Sequence, residues 1–233
     1  MKNSPSNIIH NFILMALILM AVLTVTSCKT DSGMPNYPVT EEDAAEIISN
    51  AVLSQFGGLL AHINDGLQFE QKSACGMAKD TLITHTSQGS SSPLSFQNSL
   101  QWHYQVNCAD KALSGAYTGN ITYSGSHFTA DNTCSGTLTC VTAANTSNYK
   151  ISLKLTISGT DHKKAVDVNP LNTSIDIQSA EVMADKVSCQ PVSGQIQVSI
   201  HISYYTYSGT LKFTANHTAV LTLNSGVAYN LSL

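Results

Sequence analysis

Leu94 to Val106 reads LSFQNSLQWHYQV and alternates without a break. Its even positions are Leu94, Phe96, Asn98, Leu100, Trp102, Tyr104 and Val106, and its odd ones are Ser95, Gln97, Ser99, Gln101, His103 and Gln105. A period of two puts the first set on one face of a strand and the second on the other, so one face is core and the other is wet. At about 3.3 Å per residue the segment spans about 43 Å, the length of a long strand or of one that bends across a sheet.

The pattern returns on either side. It is seen in Tyr117, Gly119, Ile121 and Tyr123, then in Tyr149, Ile151, Leu153, Leu155 and Ile157. It resumes in Ile196, Val198, Ile200, Ile202 and Tyr204, and Leu211, Phe213 and Ala215 continue it. Near Ala219-Val220 the apolar parity slips by one, which a bulge or a corner between two strands explains. Shorter strands are expected around Leu138 to Thr142, Ile175 to Val182 and Val227 to Leu233. Turn residues punctuate the runs at Ser124-Gly125-Ser126, Ser158-Gly159-Thr160-Asp161, Ser193-Gly194, Ser208-Gly209 and Asn224-Ser225-Gly226. Links this short exclude parallel crossovers, so the expected sheet is an antiparallel meander with one dry face.

Something must cover that face. Thr40 before Glu41, Glu42 and Asp43 is a capping-box start with acids in the positive first turn. Ile48, Val52, Phe56, Leu59 and Ile63 then form a stripe at spacings of three and four. The pattern predicts a helix from Thr40 to about Phe56, interrupted at Gly57-Gly58, with a bend or extra turn through Asn64-Asp65-Gly66. The expected fold is mainly β: a strongly curled, half-barrel-like antiparallel meander of long strands, with one N-terminal amphipathic helix packed on its apolar face. A β-sandwich or closed barrel with the helix at one end is the alternative.

Only 11% of residues are charged and the formal net charge is −4, so no basic surface exists to hold nucleic acid. Ser, Thr, Asn and Gln carry the polarity instead, a composition that suits extracytoplasmic β-proteins and not a disordered, highly charged chain.

Upstream, Lys2 precedes the run FILMALILMAVLTVTSC, Phe12 to Cys28. Its apolar part is about 14 residues, short of the roughly 20 that cross a hydrocarbon core. The segment resembles the type II signal peptide of bacterial lipoproteins, with Val25-Thr26-Ser27-Cys28 in the place of the lipobox. The resemblance implies that residues 1–27 are removed and that Cys28, carrying acyl-glyceryl lipid such as palmitate, begins the mature chain. Each buried methylene contributes about 0.8 kcal/mol, so two or three chains moor a soluble domain durably. Lys29 stands where an aspartate retains enteric lipoproteins in the inner membrane, which implies the outer membrane. Lys29-Thr30-Asp31 tilts the reading towards the cell surface over the periplasmic face. Residues 28–39, with Gly33, Pro35 and Pro38, read as a tether, and residues 40–233 as one domain.

With Cys28 given to lipid, Cys75, Cys108, Cys134, Cys140 and Cys189 remain. Two bridges and one free thiol are expected in an oxidising compartment, and Cys75 with Cys108 is the preferred pair, each lying at the edge of a patterned segment. Cys134-x5-Cys140 lacks zinc spacing, so no metal and no cofactor is expected.

G-x-S-x-G, P-loop, G-x-G-x-x-G and H-E-x-x-H motifs are absent. His62, at the end of the helix stripe, reads as a cap. His85, His103, His127 and His201 fall on the solvent parity or in turns, and only His217 falls on an apolar parity. No acidic pair is nominated by spacing. Tyr205 and Tyr207 fall on the polar parity about 6.6 Å apart, a flat platform for a sugar or a protein. The expectation is a non-enzymatic, lipid-anchored binding or structural module with a glycan or protein ligand. The alternatives are a lipid or lipoprotein carrier, by analogy with the helix-capped half-barrels of periplasmic lipoprotein-sorting proteins, an envelope hydrolase, and a pilin-type subunit.

Overall fold

Two helices and ten strands follow one another in the computed structural model, which describes residues 38–87, 94–143, 147–164, 169–214 and 217–233. Helices α1 (Glu41–Val52) and α2 (Leu59–Lys72) flank a 3-10 turn at Ser54–Phe56. The strands are β1 (Ala78–Thr86), β2 (Ser95–Val106), β3 (Leu113–Ser124), β4 (Phe128–Thr142) and β5 (Asn148–Lys163), then β6 (Leu171–Asp185), β7 (Pro191–Ile202), β8 (Tyr205–Thr214), β9 (Thr218–Leu223) and β10 (Ala228–Ser232). All lie in one antiparallel sheet in chain order, with β1 and β10 as its edges. The signal-peptide segment, Cys28 and most of the tether lie outside the described residues.

The capping box forms as the sequence predicts. Thr40 Oγ1 accepts from Asp43 N, and Asp43 Oδ2 accepts from Thr40 N, each at 3.2 Å. The single helix anticipated to Phe56 is instead two. Leu53 is extended, and Gly57 takes a left-handed φ of +65° at which a β-carbon would sit 2.2 Å from Asn98 Nδ2. Only glycine fits there. The extended Leu53 ends α1 at Val52, Gly57 ends the 3-10 turn, and α2 starts after Gly58. It then runs past Asn64-Asp65-Gly66 to Lys72.

The helices lie inside the curl. Their bonds reach from β1, where His85 meets Asp65, through Lys163 at the end of β5, to Ser225 in the β9–β10 turn, which donates to Glu41. A sheet whose first and last strands both touch one helical layer must wrap around it. Between the layers, Ile47, Ile48, Val52, Leu59, Ile63 and Leu67 face Leu100, Trp102, Ile151, Leu155 and Ile200, all with 0% of their surface exposed. Side chains so closed leave no space for even a water molecule against them. Burial of each stabilises the fold by about 1.5–3 kcal/mol.

A meander sorts its turns. Those leaving odd-numbered strands share one end, here the near end, and the others share the far end. The chain enters at the near end, where the Tyr207 hydroxyl donates to Val39 O at 2.7 Å and Glu46 holds His127 in the β3–β4 turn. From there α1 lies across the near end, and α2 runs down the strands to the far end. Gln71 donates to Lys186 O in the β6–β7 turn, and Cys75 is disulfide-bonded to Cys108 beyond β2, with Cα atoms 4.9 Å apart.

Several turn readings are corrected. Ser158-Gly159-Thr160-Asp161 lies in β5, Ser193-Gly194 in β7 and Ser208-Gly209 in β8. At Gly159 the glycine answers a close approach: a β-carbon there would lie 2.3 Å from Asn132 Oδ1. Gly194, at φ +104°, faces the register shift in β6 between Gln178 and Val182. The parity slip before Ala219 is a corner, not a bulge, because Thr214 ends β8 and Thr218 starts β9. His217 sits in that corner, exposed, with a left-handed φ of 55°. The second disulfide does not form among the described residues. Cys134, Cys140 and Cys189 are free and buried. Cys134 and Cys140 point the same way along one strand, ~20 Å apart, where no bridge can span them.

Candidate functional site

Among the described residues, two clusters of polar groups lie inside the curl. In the first, His62 is fully buried on α2 and its Nδ1 lies 3.1 Å from the Tyr117 hydroxyl of β3. It is not a helix cap, as the sequence reading had it, but a side chain in the fourth position of α2, locked into the core. Burial, with the charge of His85 second, depresses its pKa from 6.5 to about 3, so the ring is neutral. Next to it His85 Nε2 meets the buried Asp65 Oδ2 at 2.8 Å, and this hydrogen bond raises the pKa of His85. The Trp102 and Tyr117 rings lie tilted with centroids 4.3 Å apart, and the His62 ring meets Tyr117 edge-on at 4.9 Å.

The second cluster sits under α1. Asp161, fully buried, accepts from the Tyr123 hydroxyl at 2.6 Å. Burial raises its pKa, against the opposing pull of hydrogen bonds from Tyr123 and Thr173. Asn132 Oδ1, Asp161 Oδ2 and Asn50 Nδ2 are buried here with no protein partner. The clusters were legible only in part. Asp161 continues the inward parity of Ile157 and Gly159, a signal that the turn reading of Ser158 to Asp161 obscured. Nothing local links Asp65 to His85 or His62 to Tyr117.

Hydrolysis by a triad needs one histidine bonded to a carboxylate and a hydroxyl nucleophile. His103 pairs with Asp80 at 2.8 Å and His127 with Glu46 at 2.6 Å, while His201 meets Thr206 at 2.9 Å. Among the described residues none joins both kinds of partner. The thiols of Cys134 and Cys140 are pushed up to about 12 by burial, which leaves them protonated and poorly nucleophilic. No group of three or more His, Cys, Asp or Glu that could hold a metal ion occurs among the described residues.

Tyr205 and Tyr207 are not on the polar face. The two-residue turn at Ser203-Tyr204 sets Tyr205 opposite Ile202 and Tyr207 opposite Ile200, so both take the inward parity. They are half-buried against the core, and the Tyr207 hydroxyl is spent on Val39 O. The parity counted through Ile202 reversed at a hairpin that has no glycine to announce it. Tyr204, at the tip, is the exposed one.

The outer face is a lattice of hydroxyls and amides. Thr133, Ser135, Thr137 and Thr139 stand exposed along β4, and Gln195, Gln197 and His201 along β7. An open depression of about 360 Å³ crosses it between Ala116, Thr118, Ser135, Thr137, Lys154 and Thr156. Such a surface offers mainly hydroxyl and amide donors and acceptors, among which Asp131, Lys154, Asp176 and Lys212 also stand exposed. Comparison of the chain with protein-family models, with curated proteins and with solved structures finds no match in any of the three.

Proposed function

We propose that the protein is a lipid-anchored outer-membrane or surface protein whose helix-filled β-domain is a non-enzymatic binding or structural module. The observation that carries the reading is Val25-Thr26-Ser27-Cys28 at the end of a short apolar run behind Lys2. Small residues before a cysteine at that place suit acylation of its thiol and cleavage ahead of it. The interior supports the second half of the reading. Helix and sheet close on each other with fully buried side chains, which favours a ligand met from outside over a carried acyl chain. Its outer lattice, rich in hydroxyls and amides, suits a glycan or a protein.

Radiolabelled palmitate fed to cells tests the anchor. The wild-type protein is expected to take up label and sediment with envelopes, while Cys28→Ser does neither. An unlabelled wild type, or a Cys28→Ser protein that still sediments, sinks the reading. Protease added to intact cells then separates surface from periplasmic display, with digestion expected.

A further inference from the structure

We propose that the near end of the half-barrel, led by Tyr204, rests on the lipid surface, and that the disulfide-bearing far end points away from it. The inference rests on the acylation of Cys28 proposed above, and adds which face of the domain the membrane sees.

Reach decides the orientation. Val39 is buried and its carbonyl is held by Tyr207, so among the described residues the domain's hold on the chain begins at the near end. The segment from Lys29 to Pro38 spans at most about 36 Å when fully extended and about 18 Å as a flexible coil. By contrast β5 runs 16 residues from the far end to the near end, about 53 Å along the strand at 3.3 Å per residue. Setting the far end on the bilayer would require the tether to double back beside the whole domain. The near end needs no such detour.

The surface at that end fits the role. Tyr204 stands 61% exposed at the tip of the β7–β8 hairpin, and Val227 43% exposed in the β9–β10 turn. A tyrosine has an apolar body and a polar tip, which suits the boundary between headgroups and acyl chains. Exposure alone would nominate the other end, because Val187 is 91% and Met77 71% exposed there. Tether geometry and bare hydrophobicity therefore predict opposite patterns.

The test uses the acylated full chain, extracted from membranes and returned to phosphatidylethanolamine–phosphatidylglycerol vesicles with or without brominated acyl chains. Trp102, the single native tryptophan, is fully buried and supplies a constant background. In Tyr204→Trp, brominated lipid is expected to quench the added emission, as for a ring set into the headgroup boundary. Val187→Trp should lose none. Val227→Trp is a second reporter should the hairpin variant fold poorly. Equal quenching at both ends, stronger quenching at Val187→Trp, or quenching at neither while the protein floats with the vesicles overturns the orientation and leaves the anchor standing. Shielding of Tyr204→Trp from aqueous iodide without bromine quenching means that a protein covers the tip, and overturns it too. A protein that carries no acyl mass and does not float removes the anchor itself, and the orientation with it.

Discussion

The two faces of the sheet are made from the same strands and differ only at alternate residues. Along β4, Ala130, Asn132, Cys134, Leu138 and Cys140 turn inward and are buried, while Asp131, Thr133, Ser135, Thr137 and Thr139 turn outward and are exposed. The inner face is occupied by the chain's own helices. The outer face is a lattice rich in hydroxyls and amides, against which none of the described residues packs. A half-barrel is often a container, but this one is filled with two helices of its own, so on the reading proposed above a ligand is met on the convex side or at the ends.

If that contrast is right, damage should be sharply one-sided. Trp102 packs between Phe69 and Tyr117 with centroids at 5.4 and 4.3 Å, so Trp102→Ala should cost up to about 5 kcal/mol in denaturant unfolding. Acid attacks the inner face next. The folded pKa of His62 lies near 3, below the unfolded value of 6.5, so its contribution is present above pH 6.5 and lost as pH falls through that window. The loss is on the order of 5 kcal/mol. Stability measured against pH in wild type and His62→Gln should differ by that slope. Equal slopes would mean that the ring is wet.

The far-end staple comes third. The Cys75–Cys108 bridge closes 33 positions of chain, so reduction or a paired Cys75→Ser, Cys108→Ser change should cost between about 3 and 4 kcal/mol. The outer face should hardly respond: Thr137→Ala on exposed β4 is expected to stay within about 0.5 kcal/mol of wild type. A large loss there would show that the convex lattice is structural after all, and the contrast between the faces would blur.

The sequence carried the contrast itself but not its fine points. Alternation in Leu94 to Val106 set the two faces of β2, and Thr40 to Asp43 set the start of α1, because both signals are local. What it hid was non-local or symmetric. β1 escaped notice because an edge strand buries neither face well, and its residues alternate only between exposed and half-buried. Gly159 and Gly209 looked like turns, yet each sits in a strand where a neighbour presses close: Asn132 Oδ1 at the first, Thr222 O at 2.4 Å from a β-carbon at the second. Tyr205 and Tyr207 were placed on the wrong side by a hairpin of two residues that resets the parity. The part-buried pair Asp65–His85 and the buried pair Tyr123–Asp161 join residues 20 and 38 positions apart, a distance at which single-sequence spacing is silent.

The filled interior is the claim on which the rest turns, and native mass spectrometry of the soluble chain from residue 29 onward, exported behind a cleavable leader, tests it most directly. The account predicts the mass of the polypeptide alone. A stoichiometric fatty acid or phospholipid riding on the domain would contradict it, because the space between helix and sheet would then be a cargo site.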